Sequence, residues 1–244
     1  MEMAIMAEGL SKTYGDVRAV DDLSFSVAGG EIFGLLGANG AGKSTAIECI
    51  LGTKRADGGK VSVLGMDPQA DRKWLFQHVG VQFQESSYQD KITVRELCEV
   101  TQSLYAHPAD CRALLAHMGL AEKEKSLVSE LSGGQRQRLF IVLALIPNPR
   151  VVFLDELTTG LDARARREVW KSLTAMKARG LAVLLTSHFM DEVEALCDRI
   201  LIRKNGRAVF SGTVPEAVSQ SPCEKFEDAY LWFTGEEEET HEGV

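Results

Sequence analysis

Short apolar runs alternate with amphipathic stretches along this chain. The runs at 31–36 (EIFGLL), 151–154 (VVFL) and 181–186 (LAVLLT) carry polar residues only at their ends. Because a strand buried on both faces reads as a continuous apolar run, each of them predicts a buried strand. The helical spacing over 163–179 predicts a helix between the second and third strands, and this strand–helix–strand order implies parallel pairing.

The regions on either side predict smaller β elements. Ile5–Leu10 and Ala19–Val27 predict short strands around a polar turn at Tyr14–Asp16, and 60–64 (KVSVL) alternates like an exposed strand. We therefore expect an antiparallel β subdomain at the amino end. Asn205–Gly206 joins two further apolar runs and predicts a hairpin. Those runs are 200–203 and 207–210.

The segment from about 86 to 145 has few β-branched runs. Residues 93–105 and 109–117 have helical spacing, and Leu139–Ile146 (LFIVLALI) fits a buried helix. The segment therefore predicts a mostly helical insert. A further helical extension is predicted over 216–244, where an apolar stripe precedes the acidic run GEEEETHEGV, which we expect to be a solvated tail. The stripe consists of Phe226, Tyr230 and Phe233.

Composition narrows the class of protein. The 244 residues carry 27 Lys and Arg against 35 Asp and Glu, a formal net charge of −8. This charge argues against nucleic acid as the main partner, which usually requires a basic face. No apolar run approaches the ~18 residues that span a bilayer, and the amino terminus lacks the features of a signal peptide. Five scattered cysteines predict reduced thiols, and together these features predict a cytosolic chain.

The loop after the first buried strand predicts a nucleotide site. It has the Walker A pattern Gly37-x4-Gly42-Lys43-Ser44 within GANGAGKST, between a predicted strand and a predicted helix. Glycines let such a loop turn its backbone N–H groups toward phosphate oxygens. Lys43 supplies a cation for the β- and γ-phosphates, and Ser44 a hydroxyl for Mg²⁺. The predicted contact residues are Gly37, Ala38, Asn39, Gly40, Ala41, Gly42, Lys43, Ser44 and Thr45.

Two other strand ends carry candidate catalytic groups. Asp155 and Glu156 directly follow the buried run VVFL, at the strand end where α/β sheets place their ligands. Asp155 is suited to hold Mg²⁺ through water, and Glu156 to polarise an attacking water. His188 follows the strand LAVLLT. By itself it would be interpreted as a core histidine, but beside the other motifs it predicts a contact to the γ-phosphate that also holds Glu156 in place.

A second anion site is predicted at 131–135 (LSGGQ). Ser132, Gly133, Gly134 and Gln135 begin a predicted helix, where free N–H groups and the helix dipole favour an anion. One chain needs only one phosphate cradle for each nucleotide. The second cradle is therefore predicted to bind the nucleotide of another chain.

With these motifs the sequence resembles the ATP-binding cassette (ABC) transporter ATPases over nearly its whole length. LSGGQ resembles their signature motif, VVFLDE the Walker B motif, TTGLD (158–162) the D-loop and His188 the switch histidine. Gln84 matches the Q-loop glutamine, which implies a ligand for Mg²⁺ and a sensor of the membrane partner. Tyr14 in KTYG matches the aromatic residue that stacks on adenine.

The resemblance implies a fold and an assembly. The fold would be a P-loop NTPase (RecA-like) α/β core with a mostly parallel sheet, forming one ATPase domain over 1–215 with the helical insert inside it. Two subunits would bind ATP and Mg²⁺ head to tail, with Asp162 and the signature motif contacting the partner's ATP. ATP closes this dimer, and the motion passes through the groove at Gln84 to an integral membrane permease. The chain would thus be cytoplasmic, at the inner face of the membrane through that partner.

Finer features indicate a branch of the family and some departures from its pattern. The segments ITVREL (92–97), SHFMDEVEALCDR (187–199) and FEDAYLWFTGEE resemble ABC-2-type exporters. Leu157, Ala56 and Ala163 stand where proline is usual, and loss of proline frees φ and restores an N–H, so looser geometry is expected after Glu156. No nucleotide-contacting position is lost, so activity is expected to survive.

Two other classes of function remain to be weighed against an exporter subunit. A soluble ABC ATPase acting on ribosomes or DNA usually carries two cassettes, a coiled-coil insert or zinc ligands, and this acidic single cassette has none of them. A regulatory module that binds nucleotide without turnover conflicts with the intact Lys43, Asp155, Glu156 and His188. The sequence does not name the transported molecule, and it leaves open whether the pair is a homodimer or a heterodimer.

Overall fold

The computed structural model describes residues 2–82 and 88–235 and arranges them in two β-sheets surrounded by α-helices. The strands are β1 (Met3–Tyr14), β2 (Val17–Ala28), β3 (Ile32–Gly37), β4 (Gly58–Val63), β5 (Val79–Gln82), β6 (Val151–Leu154), β7 (Ala182–Leu185), β8 (Arg199–Lys204) and β9 (Arg207–Gly212). The helices are α1 (Lys43–Ile50), α2 (Arg72–Leu75), α3 (Val94–Ser103), α4 (Cys111–His117), α5 (Gly133–Leu145), α6 (Ala163–Lys177), α7 (Met190–Leu196), α8 (Val214–Ser219) and α9 (Phe226–Thr234).

One of the two sheets is antiparallel and the other is mostly parallel, as predicted. A three-stranded antiparallel sheet has the order β2-β1-β4, and a six-stranded sheet has the order β5-β6-β7-β3-β8-β9. Strands β5, β6, β7, β3 and β8 are mutually parallel, and only β9 runs antiparallel, as the second arm of the predicted hairpin. The α/β fold with a mostly parallel core and an antiparallel amino-terminal subdomain is therefore confirmed.

The central strands β6 and β7 are buried on both faces because they are apolar at every position. Along β6, Val151 and Phe153 face a cluster shared with α1 and the antiparallel sheet, whereas Val152 and Leu154 face α5 and α6. This alternation follows from the two-residue period of a strand. Within the described residues, no helix is both long and apolar enough to cross a bilayer.

Some elements differ from the sequence prediction. Strands β1 and β2 extend to a tight turn at Gly15 and are longer than predicted, because they pair with each other along their whole length. Strand β5 was not predicted, since VGVQ is short and contains Gly80. A Cβ on Gly80 would lie 1.9 Å from the Ala144 carbonyl oxygen, so the close approach of α5 requires glycine at this place in the sheet. Helices α2 and α7 were also not predicted, and α8 begins two residues before the helical extension that was expected from residue 216.

The middle of the chain is helical, as predicted. Helices α3, α4 and α5 and a short 3₁₀ segment at 128–130 pack on the core sheet through one continuous apolar cluster, and a second 3₁₀ segment at 121–123 has no buried residue. Thr93 begins α3 with a capping box in which its hydroxyl accepts from the Glu96 backbone N–H. The domain boundary at 215 and the limits of the insert, from 86 to 145, remain predictions.

Candidate functional site

The predicted site residues of three core strands meet at one edge of the sheet. The loop after β3, the carboxylates after β6 and the segment after β7 all follow carboxyl ends of neighbouring parallel strands. In open α/β sheets this edge is the usual place for a ligand. The fold thus brings Lys43, Ser44, Asp155, Glu156 and His188 to a common side of the molecule.

The loop at 37–42 folds back on itself and leads into α1. Gly42 has φ 83° and precedes the first residue of α1. A Cβ on Gly42 would lie 2.0 Å from the Ala19 carbonyl oxygen of β2, so both the backbone conformation and the packing require glycine. Asn39 and Gly40 are exposed at the tip of the loop, whereas Ala41 is buried.

Lys43 closes the loop from inside. Its Nζ donates to the Gly37 carbonyl oxygen at 2.7 Å and to the Ala38 carbonyl oxygen at 3.1 Å, and its side chain is buried. The ammonium group therefore already lies within the loop that the sequence assigns to the phosphates. Thr45 follows Ser44 on the first turn of α1 and is half-buried.

Asp155 is the centre of the polar contacts between the strands. Its Oδ2 accepts from Ser44 Oγ at 3.2 Å, and its Oδ1 accepts from Thr186 Oγ1 at 2.5 Å. Gln82 Nε2, at the end of β5, donates to the Asp155 backbone carbonyl at 3.1 Å. The carboxylate is buried, so these donors hold it in one orientation beside the first turn of α1.

The Ser44–Asp155 pair is a donor set that fits Mg²⁺. A hydroxyl and a carboxylate oxygen are hard ligands, and Mg²⁺ in nucleotide sites uses one or two protein ligands together with phosphate oxygens and water. A larger cluster of three or more His, Cys, Asp or Glu side chains able to bind a metal does not occur in the described part of the chain. The third predicted ligand, Gln84, lies outside the described residues.

Glu156 and His188 form a pair beside this centre. His188 Nε2 lies 3.4 Å from Glu156 Oε1, with the histidine side chain exposed to 37% and that of Glu156 to 17%. Glu156 has φ 53°, a left-handed conformation that is uncommon for a residue other than glycine. Its backbone N–H donates to Thr186 Oγ1 at 3.0 Å, so a single threonine orients both carboxylate residues.

The segment after Glu156 is tied to the rest of the protein without the usual proline. Leu157 is fully buried, and its carbonyl accepts from Gln137 Nε2 of α5 at 2.8 Å. A proline at 157 would push Glu156 toward extended backbone, so leucine is compatible with the positive φ of Glu156. Asp162 caps α6, its Oδ1 accepting from the Ala165 N–H at 2.8 Å. The looser geometry expected after Glu156 remains a prediction.

The signature segment begins α5, as predicted. Ser132 Oγ accepts from the Gln135 N–H at 3.2 Å, and Gln135 Oε1 accepts from the Ser132 N–H at 3.0 Å, so the two form a capping box. Ser132 and Gly133 are exposed. Among the residues that the structure describes, a Cβ on Gly133 would meet no heavy atom within 4 Å, whereas one on Gly134 would lie 3.3 Å from Leu161. Packing among these residues therefore gives no reason for glycine at 133.

Tyr14 lies at the end of β1, next to the turn into β2. Its side chain is 44% exposed, and the ammonium groups of Lys12 and Lys54 lie 5.4 and 5.6 Å from its ring centroid. An exposed ring with cations at this distance is available for stacking.

Several polar residues of the site were not recognised in the sequence, among them Thr186, Gln137 and Arg203. Thr186 could have been found as the polar end of the apolar run LAVLLT. Gln137 and Arg203 gave no such signal. Gln137 is one of several polar residues on α5. Arg203 looks like an exposed polar residue of a strand in the sequence, but in the structure it is fully buried. Their importance comes from long-range contacts with 156–157 and with the Walker A loop.

The chain has relatives among known proteins, in sequence and in structure. Residues 20–159 match a sequence family described as "ABC transporter". "Nod factor export ATP-binding protein I" of Rhizobium etli is 40% identical over 222 residues, covering 89% of this chain and 70% of the relative. The protein of that name from Mesorhizobium japonicum is 42% identical over 215 residues, covering 86% of this chain and 63% of the relative. A solved "ATP binding subunit of ABC transporter" superposes with a TM-score of 0.87 at 26% identity, over 95% of this chain and 99% of that one.

Proposed function

Because this chain belongs to the ABC transporter family, as an ATP-binding subunit with ATPase activity, we propose that it powers an exporter by closing and opening a pair of cassettes. Support for the exporter branch comes from the two relatives, both named as export proteins. The catalytic assignment rests on one observation: at one edge of the sheet, Ser44 contacts Asp155 and His188 contacts Glu156. The relatives give no support to a soluble ATPase acting on ribosomes or DNA.

The Walker A loop would hold the triphosphate. The buried Lys43 ammonium would exchange its carbonyl contacts for the β- and γ-phosphate oxygens, and backbone N–H groups of 37–45 would surround them. Ser44 and Asp155, with Gln84 as the third predicted ligand, would hold Mg²⁺. When bound, Mg²⁺ neutralises charge on the phosphates. Tyr14 would stack on the adenine.

Hydrolysis would take place beside Glu156. A water held by its carboxylate attacks the γ-phosphorus. The new P–O bond forms as the bond to the β-phosphate oxygen breaks, and the water proton moves toward Glu156. His188, 3.4 Å from that carboxylate, would contact the γ-phosphate and hold the Glu156 side chain in place. ADP and inorganic phosphate are the products.

The second half of each site would come from another chain. Ser132, Gly133, Gly134, Gln135 and Asp162 would contact the ATP bound to the partner cassette. Ser132 and Gly133 are exposed, and packing among the described residues does not explain why residue 133 is a glycine. Both observations support this arrangement, because a glycine allows another molecule to approach closely. The partner cassette is a second copy or a similar chain.

Gly133→Ala is expected to reduce ATP turnover by at least about tenfold without harming the fold. The methyl group would meet no heavy atom of residues 2–82 and 88–235, and alanine is favoured over glycine within a helix by about 0.5–1 kcal/mol. In the closed pair it would instead lie against the partner's nucleotide. Thermal unfolding and phosphate release measured on the same preparation check both parts of this prediction.

The in-trans arrangement can be separated from a defect within the chain by mixing variants. Gly133→Ala chains mixed with Lys43→Ala chains should regain turnover, since each mixed dimer has one site in which both halves are intact. A matched control is Gly58→Ala, at a glycine that, like Gly133, has no positive φ, whose added Cβ would lie at an ordinary contact distance of 3.8 Å from Ser11 Cβ, and which lies outside the signature segment. Absence of any rescue, with both variants folded and able to dimerise, would argue against a shared site.

The membrane partner would be an integral permease that contacts the groove at Gln84 and the helical insert, which places the chain at the cytoplasmic face of the membrane. The permease would select the transported molecule. The test is purification of the tagged chain from mild-detergent extracts of host membranes, with and without ATP, against an unrelated tagged ATPase. Recovery of a polytopic membrane protein is expected. Recovery of ribosomes or nucleic acid without such a protein would contradict the exporter assignment.

A further inference from the structure

A fully buried arginine on β8 is hydrogen-bonded to the backbone of the Walker A loop. Arg203 lies on β8 at the position that pairs with Gly37 of β3. Its Nη1 donates to the Gly42 carbonyl oxygen at 2.6 Å, and its Nη2 donates to the carbonyl oxygens of Gly206 at 2.8 Å and Ala19 at 3.2 Å. One side chain thus joins the loop, strand β2 and the turn between β8 and β9.

The positive charge of this guanidinium is buried without a neighbouring negative charge among the described residues. No carboxylate lies within salt-bridge distance of it in residues 2–82 and 88–235, and its three acceptors are all backbone carbonyls. Burial lowers the pKa of Arg203 to about 10, which still leaves it positively charged at neutral pH. A buried cation without an anion is costly, so its presence calls for a compensating interaction.

Hydrogen bonding to the carbonyls does not satisfy the whole guanidinium, since its buried Nε has no hydrogen-bond partner among the described residues. The Gly42 carbonyl also accepts from the Ala46 N–H at 2.9 Å, and the Gly206 carbonyl from the Asp21 N–H at 2.9 Å. Two of the three acceptors would therefore keep a donor if the guanidinium were absent. An apolar side chain of similar length could fill the space, so packing alone does not demand a cation.

We propose that Arg203 is a positioning residue for nucleotide binding, whose buried charge is complemented when a polyphosphate occupies the Walker A loop. The proposal rests on the assignment of 37–45 to the phosphates. Arg203 contacts the loop through the Gly42 carbonyl, on the backbone that leads directly into Lys43. Its contact with Ala19 also ties the loop to β2, the strand that follows Tyr14, and so sets the spacing between the phosphate site and the predicted adenine site.

Arg203→Met is expected to raise the Kd for ATP by roughly tenfold and the Kd for ADP by less, because a charge interaction scales with the charge of the ligand. KM should rise in the same way, with kcat within about twofold of the wild type. The midpoint of thermal unfolding without nucleotide should be equal or higher, since an apolar side chain replaces a buried charge. Arg203→Lys, which keeps the charge, should recover most of the lost affinity.

The matched control is Arg199→Met. Arg199 lies on the same strand, pairs opposite Phe33 rather than Gly37, is 41% exposed and contacts Glu31 at 3.1 Å, so its loss should leave ATP affinity unchanged. Should Arg203→Met not fold, Arg203→Gln, which keeps a donor for the carbonyls, carries the same expectation.

Calorimetric titration of the purified chain decides between the outcomes. Unchanged ATP affinity in Arg203→Met, or equal losses for ATP and ADP that Arg203→Lys does not recover, would overturn the role of the charge. A wild-type chain that binds no ATP would instead contradict the assignment of the Walker A loop.

Discussion

Glu156→Gln is expected to lower kcat for ATP hydrolysis by about 10²–10⁴-fold while ATP binding is kept. The amide has the shape of the carboxylate but does not accept the proton of the attacking water. The backbone at 156 is held by Thr186 and Gln137, neither of which contacts the Glu156 carboxylate through these bonds, so the geometry should persist. Phosphate release in the steady state measures the loss, and calorimetry measures the retained affinity.

The same variant should also accumulate as a closed dimer, because hydrolysis is the step that reopens the pair. Light scattering with excess ATP is expected to show twice the monomer mass for Glu156→Gln and a smaller dimer fraction for the wild type. Glu194→Gln is a suitable control, since Glu194 is an exposed carboxylate on α7, the helix that follows His188. If Glu156→Gln stays monomeric with ATP bound, the sandwich arrangement fails.

Lys43→Ala is expected to weaken ATP binding by about 10–100-fold, which corresponds to loss of a hydrogen bond to a charged group of about 1.5–3 kcal/mol. The ammonium is the cation that the loop encloses, at 2.7 and 3.1 Å from the carbonyls of Gly37 and Ala38. Turnover at ATP concentrations below KM should fall at least in proportion. Calorimetric titration with ATP gives the affinity directly.

Folding has to be measured on the same variant, because Lys43 also stabilises the loop through its contacts with the Gly37 and Ala38 carbonyls. Loss of its two contacts with the loop carbonyls is expected to cost about 1–3 kcal/mol, so the unfolding midpoint should decrease by a few degrees. Lys60→Ala removes an exposed lysine from β4 and serves as the control for charge. Equal ATP affinity in Lys43→Ala and the wild type would refute the phosphate-binding role of the loop.

The parts of the site that the sequence predicted are those in which a local pattern and a backbone rule are sufficient. A strand buried on both faces reads as an apolar run, so the ends of β3, β6 and β7 could be located, and with them the loop at 37–45, Asp155–Glu156 and His188. The capping box at Ser132–Gln135 is likewise local, because both partners lie within one helical turn. The roles of these residues remain predictions to be tested as above.

Other features depend on residues far apart in the chain. Arg203 reads as an ordinary polar residue of a hairpin, and only the pairing of β8 with β3 places it behind Gly42, 161 residues away. Gln137 meets 156–157 because α5 packs on the core sheet. Strand β5 is recognisable as a strand only once β6 lies beside it, since its glycine and its short length conceal the pattern.

The sequence by itself thus determined the class of the fold, the order of the elements that carry the phosphate loop, the two carboxylates and His188, and the residue types available for phosphate, metal and water, because hydrophobic period, glycine and capping chemistry act within a few residues. The tertiary structure decided which of those groups meet, the left-handed backbone at Glu156, the orientation of Asp155 by Thr186 and the burial of the Arg203 charge. Those outcomes arise from strand register and helix packing, where the free energy of a contact depends on partners that no local pattern identifies.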